Sequence, residues 1–158
     1  MQKLRRLNFF DRHVVKQDGS DVHPGIQKLS VWCACGTSEY LWLGDRGGSI
    51  RRLDRQHVLS EPVQAFDREL VELRGAQEGA RLVALGFEAV ASGSAKFKVF
   101  DAHCDGEPLL LVAQRVALAR GPDVDPTRIA VSSALSTVAI GLSTGILHLW
   151  RGRDLSRE

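Results

Sequence analysis

Polar and apolar residues alternate along most of this chain in short segments separated by glycine, serine and aspartate. Successive side chains of a β-strand point to opposite faces, so this alternation predicts strands. Helical repeat proteins need long stretches with a 3.6-residue period, and here only Asp67–Gln77 has a faintly helical pattern. The pattern therefore predicts an all-β fold.

Three pentapeptides share one internal pattern. Each begins with an apolar residue, carries a basic or imidazole side chain second and a large apolar residue fourth, and ends with a charged residue. Successive copies are offset by 47 and 50 residues. The copies are Ile50–Asp54, Phe97–Asp101 and Leu147–Arg151. Repetition at this period is typical of proteins built from one supersecondary unit used several times.

A short apolar run that ends in glycine precedes each pentapeptide. The three runs are Tyr40–Gly44, Leu82–Gly86 and Thr137–Gly141. A β-hairpin explains each pairing, because glycine supplies the positive φ angles that tight turns need. The turn is short in the first and third copies, and the middle copy has a longer connection from Phe87 to Lys96.

Further strands are predicted around these hairpins, at Leu29–Cys35, Leu59–Ala65, Leu70–Leu73, Leu109–Val116 and Ile129–Ser133. About four short strands in each unit of roughly 40 to 50 residues is the periodicity of a propeller blade. We predict that residues 1–158 form the amino-terminal part of a WD40-like β-propeller. Its blades would span approximately residues 27–66, 67–117 and 127–158, the last incomplete. Since a propeller closes with at least four blades, we expect more blades in the complete protein.

Composition narrows the class of protein. A chain of 158 residues and 17.4 kDa, with 44% hydrophobic and 25% charged residues, suits one globular domain. The net charge of +2 is spread along the sequence, which does not indicate a nucleic-acid partner. Apolar stretches are too short to cross a membrane, and no signal peptide follows Met1. Three cysteines, an odd number, favour a reducing compartment, so we predict a cytoplasmic protein.

Several motifs resemble catalytic or ligand-binding sequences. Gly141–Gly145 matches the G-x-S-x-G nucleophile elbow, but an elbow leads into a helix and Ile146–Trp150 is strand-like, so we interpret it as a hairpin turn. Cys33 and Cys35 lack the spacing of a zinc site, and Cys104 with His103 is distant in sequence. Gly44–Gly48 lacks the G-K-[ST] ending of a phosphate-binding loop. We predict no catalytic residue, no metal site and no cofactor.

The second and fourth positions of the pentapeptides are interpreted separately. Arg51, Lys98 and His148 stand second in the pentapeptides, and they form either a basic stripe for acidic partners or ordinary solvated positions on half-exposed strands. Leu53, Phe100 and Trp150 stand fourth and are predicted to pack between blades. The pattern does not identify protein-binding residues.

Four stretches resemble the vacuolar protein sorting-associated protein 11 family, in the order in which that family has them. They are Leu7–Arg12, Leu43–Ile50, Phe97–Asp101 and Val138–Gly145. In the second and fourth, the sequence is similar to the family's glycine turns F-G-D-x-x-G-x-I and A-I-G-F-x-D-G. In the fourth stretch, Thr144 stands where the family's turn has an aspartate.

The resemblance implies a non-catalytic scaffold subunit of the HOPS and CORVET complexes, which tether endosomal and vacuolar or lysosomal membranes before fusion. Its implied partners are the other tethering subunits, with no direct membrane insertion. Its implied location is the cytoplasmic side of the late endosome or vacuole. The alternative is a WD40-like propeller adaptor outside trafficking. A third hypothesis, a hydrolase that uses Ser143, lacks a recognisable acid and histidine.

Overall fold

The computed structural model describes residues 31–37, 39–56, 58–88, 94–103, 108–116 and 124–152. They form eleven strands and one 3₁₀ turn at Gln77–Gly79. The strands are β1 (Val31–Gly36), β2 (Leu41–Asp45), β3 (Ser49–Leu53), β4 (Val63–Gln64), β5 (Leu70–Ala76), β6 (Arg81–Glu88), β7 (Ser94–Asp101), β8 (Leu109–Arg115), β9 (Pro126–Val131), β10 (Thr137–Leu142) and β11 (Leu147–Arg151).

The strands form three antiparallel sheets in which each strand pairs with its neighbour in sequence. The first sheet has the order β1-β2-β3-β4, the second β5-β6-β7-β8, and the third β9-β10-β11. The first strands of neighbouring sheets lie side by side, since β5 contacts both β1 and β9. Consecutive meanders stacked in this way are propeller blades. The predicted all-β partial propeller is therefore confirmed, and Asp67–Gln77 contributes β5 rather than a helix.

Two apolar clusters fill the spaces between the sheets. The cluster between the first and second sheets includes Trp42, Ile50, Leu73 and Phe100. The cluster between the second and third includes Phe97, Val99, Val138, Ile140 and Trp150. The middle sheet thus has apolar residues on both of its faces. Four consecutive residues of β6 are fully buried: Leu82, Val83, Ala84 and Leu85.

The three pentapeptides lie on the third strand of each sheet, as the repeat predicts. Ile50 and Phe97, in the first position, face the following sheet, and Phe100 and Trp150, in the fourth position, face the preceding one. Leu53 is buried too, but it pairs with Leu41 on the face that points away from the second sheet. The predicted packing between blades is therefore confirmed for Phe100 and Trp150, and for Leu53 it stays a prediction.

Three local predictions differ from the structure. The predicted strand Leu59–Ala65 is reduced to β4 and an isolated bridge at Leu59, because Pro62 cannot donate to a ladder. The strands of the middle hairpin are longer than expected, with β6 ending at Glu88 and β7 beginning at Ser94. Gly86 also pairs with Lys96 rather than Phe97, so the middle copy is shifted by one residue relative to Gly44 and Gly141.

The turn between β2 and β3 is hydrogen-bonded to the two residues that follow β4, the last strand of the first sheet. The carbonyl of Gly48 accepts hydrogen bonds from the N–H groups of Ala65 and Phe66, each at 3.0 Å. Gly48 has a φ of +86°, and a Cβ built there would lie 2.1 Å from the carbonyl oxygen of Arg68. The corresponding glycine of the third sheet, Gly145, has a φ of +83° and open space around it.

We expect Gly48→Ala to destabilise the fold much more than Gly145→Ala. A left-handed backbone costs a non-glycine residue about 1 to 2 kcal/mol at either site, and only Gly48 adds a collision with main-chain oxygen atoms. Chemical denaturation of the two variants measures the difference. Equal losses of unfolding free energy would contradict this account of the turn.

Trp150→Ala is expected to lower the free energy of unfolding by about 3 to 5 kcal/mol, because the indole is 2% exposed and its ring centroid lies 5.0 Å from that of Phe97. Trp32→Ala is the matched control, since Trp32 is 50% exposed. Thermal denaturation of the complete propeller checks both variants. An unchanged melting temperature for Trp150→Ala, with loss of partner binding, would place Trp150 in a binding surface instead.

Candidate protein-interaction surfaces

Ser143 lies in a hairpin turn, as the sequence predicts. It follows β10 and precedes β11, so no helix begins at the motif. The Ser143 hydroxyl accepts a hydrogen bond from the N–H of Asp125 at 3.1 Å, and the Ser143 N–H donates to the Asp125 carbonyl at 2.8 Å. His148 stacks on Trp150, with ring centroids 5.8 Å apart. These contacts give Ser143 the role of joining the turn to the start of the third sheet.

The cysteines of β1 lie at the junction with the second sheet. A Cβ built on Gly44 would lie 2.8 Å from Cys33 Sγ, and one built on Gly75 would lie 3.4 Å from Cys35 Sγ. Burial, assisted by the Glu72 carboxylate, raises the pKa of Cys33 to about 12, and burial also raises the pKa of Cys35. Both thiols are therefore protonated at neutral pH and pack as small apolar groups.

Glu72 and Arg74 of β5 occupy the places in the second sheet that Cys33 and Cys35 occupy in the first. Both strands carry a register irregularity just before the first residue of the pair. A Glu72 carboxylate oxygen accepts the N–H of Ile129 at 2.7 Å, and Arg74 Nε donates to the Ile129 carbonyl at 3.1 Å. The same positions therefore join consecutive sheets, through packed thiols at one junction and through hydrogen bonds to the main chain of Ile129 at the next.

Lys98 fits neither interpretation that the sequence left open. Its ammonium lies 2.5 Å from a carboxylate oxygen of Glu88 and 2.5 Å from the carbonyl oxygen of Ala65, and it lies over the ring of Phe66. These contacts leave its side chain 14% exposed. Lys98 is thus a link between the first and second sheets rather than a solvated residue or part of a stripe.

The three second-position residues are not brought together on one accessible surface. Arg51 lies on the face of the first sheet that points away from the second, and its Nε is buried without a hydrogen-bond partner among the described residues. Lys98 lies between the first two sheets, and His148 packs on Trp150 between the second and third. Cys104 and Leu7–Arg12 lie outside the described residues.

Two exposed features were missed by the sequence analysis. Trp32 lies under the guanidinium of Arg46, which is 4.1 Å from the ring centroid. Leu109, Leu110 and Leu111 are consecutive and exposed on β8. The run of three leucines is visible in the sequence, but its exposure depends on the position of β8 at the end of a sheet.

Ligand and membrane features were searched for within the described ranges. They contain no group of three or more histidine, cysteine, aspartate or glutamate side chains that could hold a metal ion. Within the same ranges, no helix is long and apolar enough to cross a membrane.

Comparison of the sequence with known proteins identifies the family that the four stretches resemble. The family model described as PEP5/VPS11 N-terminal matches residues 5–158. A vacuolar protein sorting-associated protein 11 homolog of Dictyostelium discoideum is 26% identical over 100% of this chain and 16% of its own length. The corresponding homolog of Caenorhabditis elegans is 28% identical over 94% of this chain and 15% of its own length. The chain thus spans about one sixth of these relatives.

The fold is similar to that of solved propellers. The β-propeller domain of Cps50 (Swd1) from Myceliophteria thermophila superposes with a TM-score of 0.61, covering 87% of this chain and 45% of that one. The two sequences are 15% identical, so the likeness concerns the fold alone.

Lys98→Met is expected to destabilise the protein by about 1 to 3 kcal/mol, because it keeps the aliphatic stem but leaves the buried Glu88 carboxylate without its nearest cation. Lys96→Met is the matched control, since Lys96 is 32% exposed and 3.9 Å from the same carboxylate, and it should cost less than about 1 kcal/mol. Urea denaturation of both variants measures these costs. A larger loss for Lys96→Met would contradict the role given to Lys98.

Proposed function

Because the chain belongs to the PEP5/VPS11 N-terminal family, we propose that it is a non-catalytic scaffold in a membrane-tethering complex of endosomal and vacuolar or lysosomal transport. The observation that carries the proposal is the family match over residues 5–158, together with two vacuolar protein sorting-associated protein 11 homologs that align with nearly the whole chain. The proposed partners are the other subunits of the HOPS and CORVET complexes.

The geometry supports a scaffold because the sheets are held to one another by packing and by polar links. Trp42 and Phe100 pack across the first junction, and Phe97 and Trp150 across the second. A surface that is already ordered loses little conformational entropy when a partner binds. Such a stack can present loops and strand edges in fixed positions.

We further propose that the chain is the amino-terminal part of a larger propeller, with blades near residues 27–66, 67–117 and 127–158. Leu147 and Leu149 support this, because they are exposed on β11 at the repeat positions of Phe97 and Val99, which are buried against a following sheet. Another sheet of the complete polypeptide would cover them, since a blade buries its apolar face only against a neighbour.

The scaffold is proposed to act on the cytoplasmic side of the late endosome or vacuole, where it is held by other proteins and not by its own contact with lipid. The chain has no cluster of 4 to 8 basic residues of the kind that binds anionic lipid headgroups. Recruitment would then depend on the companion subunits.

Tagged full-length protein should copurify from cells with the companion tethering subunits, and it should localise to late endosomal or vacuolar membranes. Purified protein should not sediment with protein-free anionic liposomes at physiological salt. Depletion of a companion subunit should release it into the cytosol. Strong liposome binding would contradict recruitment through proteins, and nuclear localisation would favour an adaptor role outside trafficking.

A further inference from the structure

The outer strand of the second sheet, β8, has one edge that no described strand covers. β8 pairs with β7 from Lys96↔Arg115 to Asp101↔Leu109 and ends the sheet order, so within the described part of the chain its other edge pairs with no strand. Main-chain N–H and C=O groups on such an edge can accept a further strand.

This edge is also apolar on both faces. Leu109, Leu110 and Leu111 are 60%, 47% and 44% exposed. Leu110 pairs with Phe100 and Val112 with Val99, so Leu111 is an extra residue in a β-bulge. A bulge redirects side chains, which explains why adjacent leucines are both accessible. The blade junctions do not bury these three side chains.

The outer strand of the first sheet is much shorter than β8. β4 has only two residues, and a very short edge strand is a common device against unwanted pairing. β8 has seven residues, and although Pro108 precedes it as Pro62 precedes β4, it contains no proline itself and has no charged side chain before Arg115. An uncharged strand of this length with an open edge is a site for pairing with another chain.

We propose that β8 binds an extended, uncharged, apolar segment of a partner protein, which adds to the second sheet as a fifth strand. Main-chain hydrogen bonds would provide affinity, and alternate side chains of the segment would lie against the exposed leucines. The absence of charge from Leu109 to Gln114 favours an uncharged occupant over an acidic or basic one. The inference deepens the proposed function, because it names the kind of segment through which a companion subunit would be held.

Other occupants fit the edge less well. A lipid surface could cover the leucines but could not hydrogen-bond the open main chain. A second copy of this sheet would need to pair rigidly along the whole strand, and the bulge at Leu111 twists the edge away from that arrangement. A flexible extended segment can follow the twist.

The test uses full-length protein and a short fluorescent peptide of alternating valine and threonine, with lysines at both ends for solubility. Fluorescence anisotropy should show saturable binding, and Leu111→Lys should weaken it at least tenfold. Val58→Lys is the matched control, because Val58 is as exposed as Leu109 but lies outside β8 in the connection between β3 and β4. Leu109→Lys serves as a second variant should Leu111→Lys fail to fold, and melting temperatures establish which variants are folded.

Hydrogen exchange should locate the peptide, with slower exchange of residues 109–115 on binding and no change near Val58. Absence of saturable peptide binding, or equal loss with Val58→Lys, would overturn the proposal. A dimer of the full-length protein that Leu111→Lys converts to a monomer would overturn it as well, since the edge would then serve self-association.

Failure of the edge proposal can be distinguished from failure of the proposed tethering role. In the purified complex, Leu111→Lys should weaken binding of a companion subunit at least tenfold while Val58→Lys leaves it unchanged. If the companions copurify equally with both variants, the edge proposal fails and the tethering role stands. If no tethering subunit copurifies with wild type while the peptide still binds at β8, the tethering role fails and the edge proposal stands.

Discussion

Burial of one sheet against the next is the constraint on which the rest of this structure depends. A single four-stranded meander cannot bury both of its faces, so its apolar side chains are stable only when a neighbouring sheet covers them. The middle sheet meets this condition on both faces, with Phe100 toward the first sheet and Phe97 toward the third. The same condition explains why Leu147 and Leu149 of the third sheet stand out as exposed positions.

Polar contacts at the two junctions show that one geometry can be maintained by different chemistry. Glu72 and Arg74 bind the main chain of Ile129, whereas Cys33 and Cys35 occupy the equivalent places as packed thiols. Lys98 adds a link between the Glu88 carboxylate and the carbonyl of Ala65. This link favours a single alignment of the two sheets, because displacement would remove the hydrogen bond from the partly buried Lys98 ammonium to the Ala65 carbonyl.

The surface left by this packing is where partners can bind. Residues with a basic side chain at the second repeat position are used within the stack or placed on separate faces, so they do not form a common patch. The open edge of β8 and the Trp32 and Arg46 pair remain accessible. A scaffold role is consistent with this division, because the groups that hold the sheets together are different from those that are exposed.

Local patterns in the sequence determined the elements and their order. Period-two alternation, glycine turns and the three pentapeptides predicted the strands and the hairpins, and the stretches from Leu43 to Gly145 indicated the family, because each of these signals depends on neighbouring residues. The face on which each side chain lies was decided by tertiary structure. Lys98 was expected either in a basic stripe or in solvent, yet it lies beside Ala65 and Glu88. Leu53 was expected to pack between blades, and the repeat pattern did not indicate that it faces away from the second sheet. The exposure of Leu109–Leu111 likewise depends on which strand ends the sheet. Contacts between residues distant in sequence fix these features, and a repeat pattern contains no information about which neighbouring sheet, if any, covers a given face.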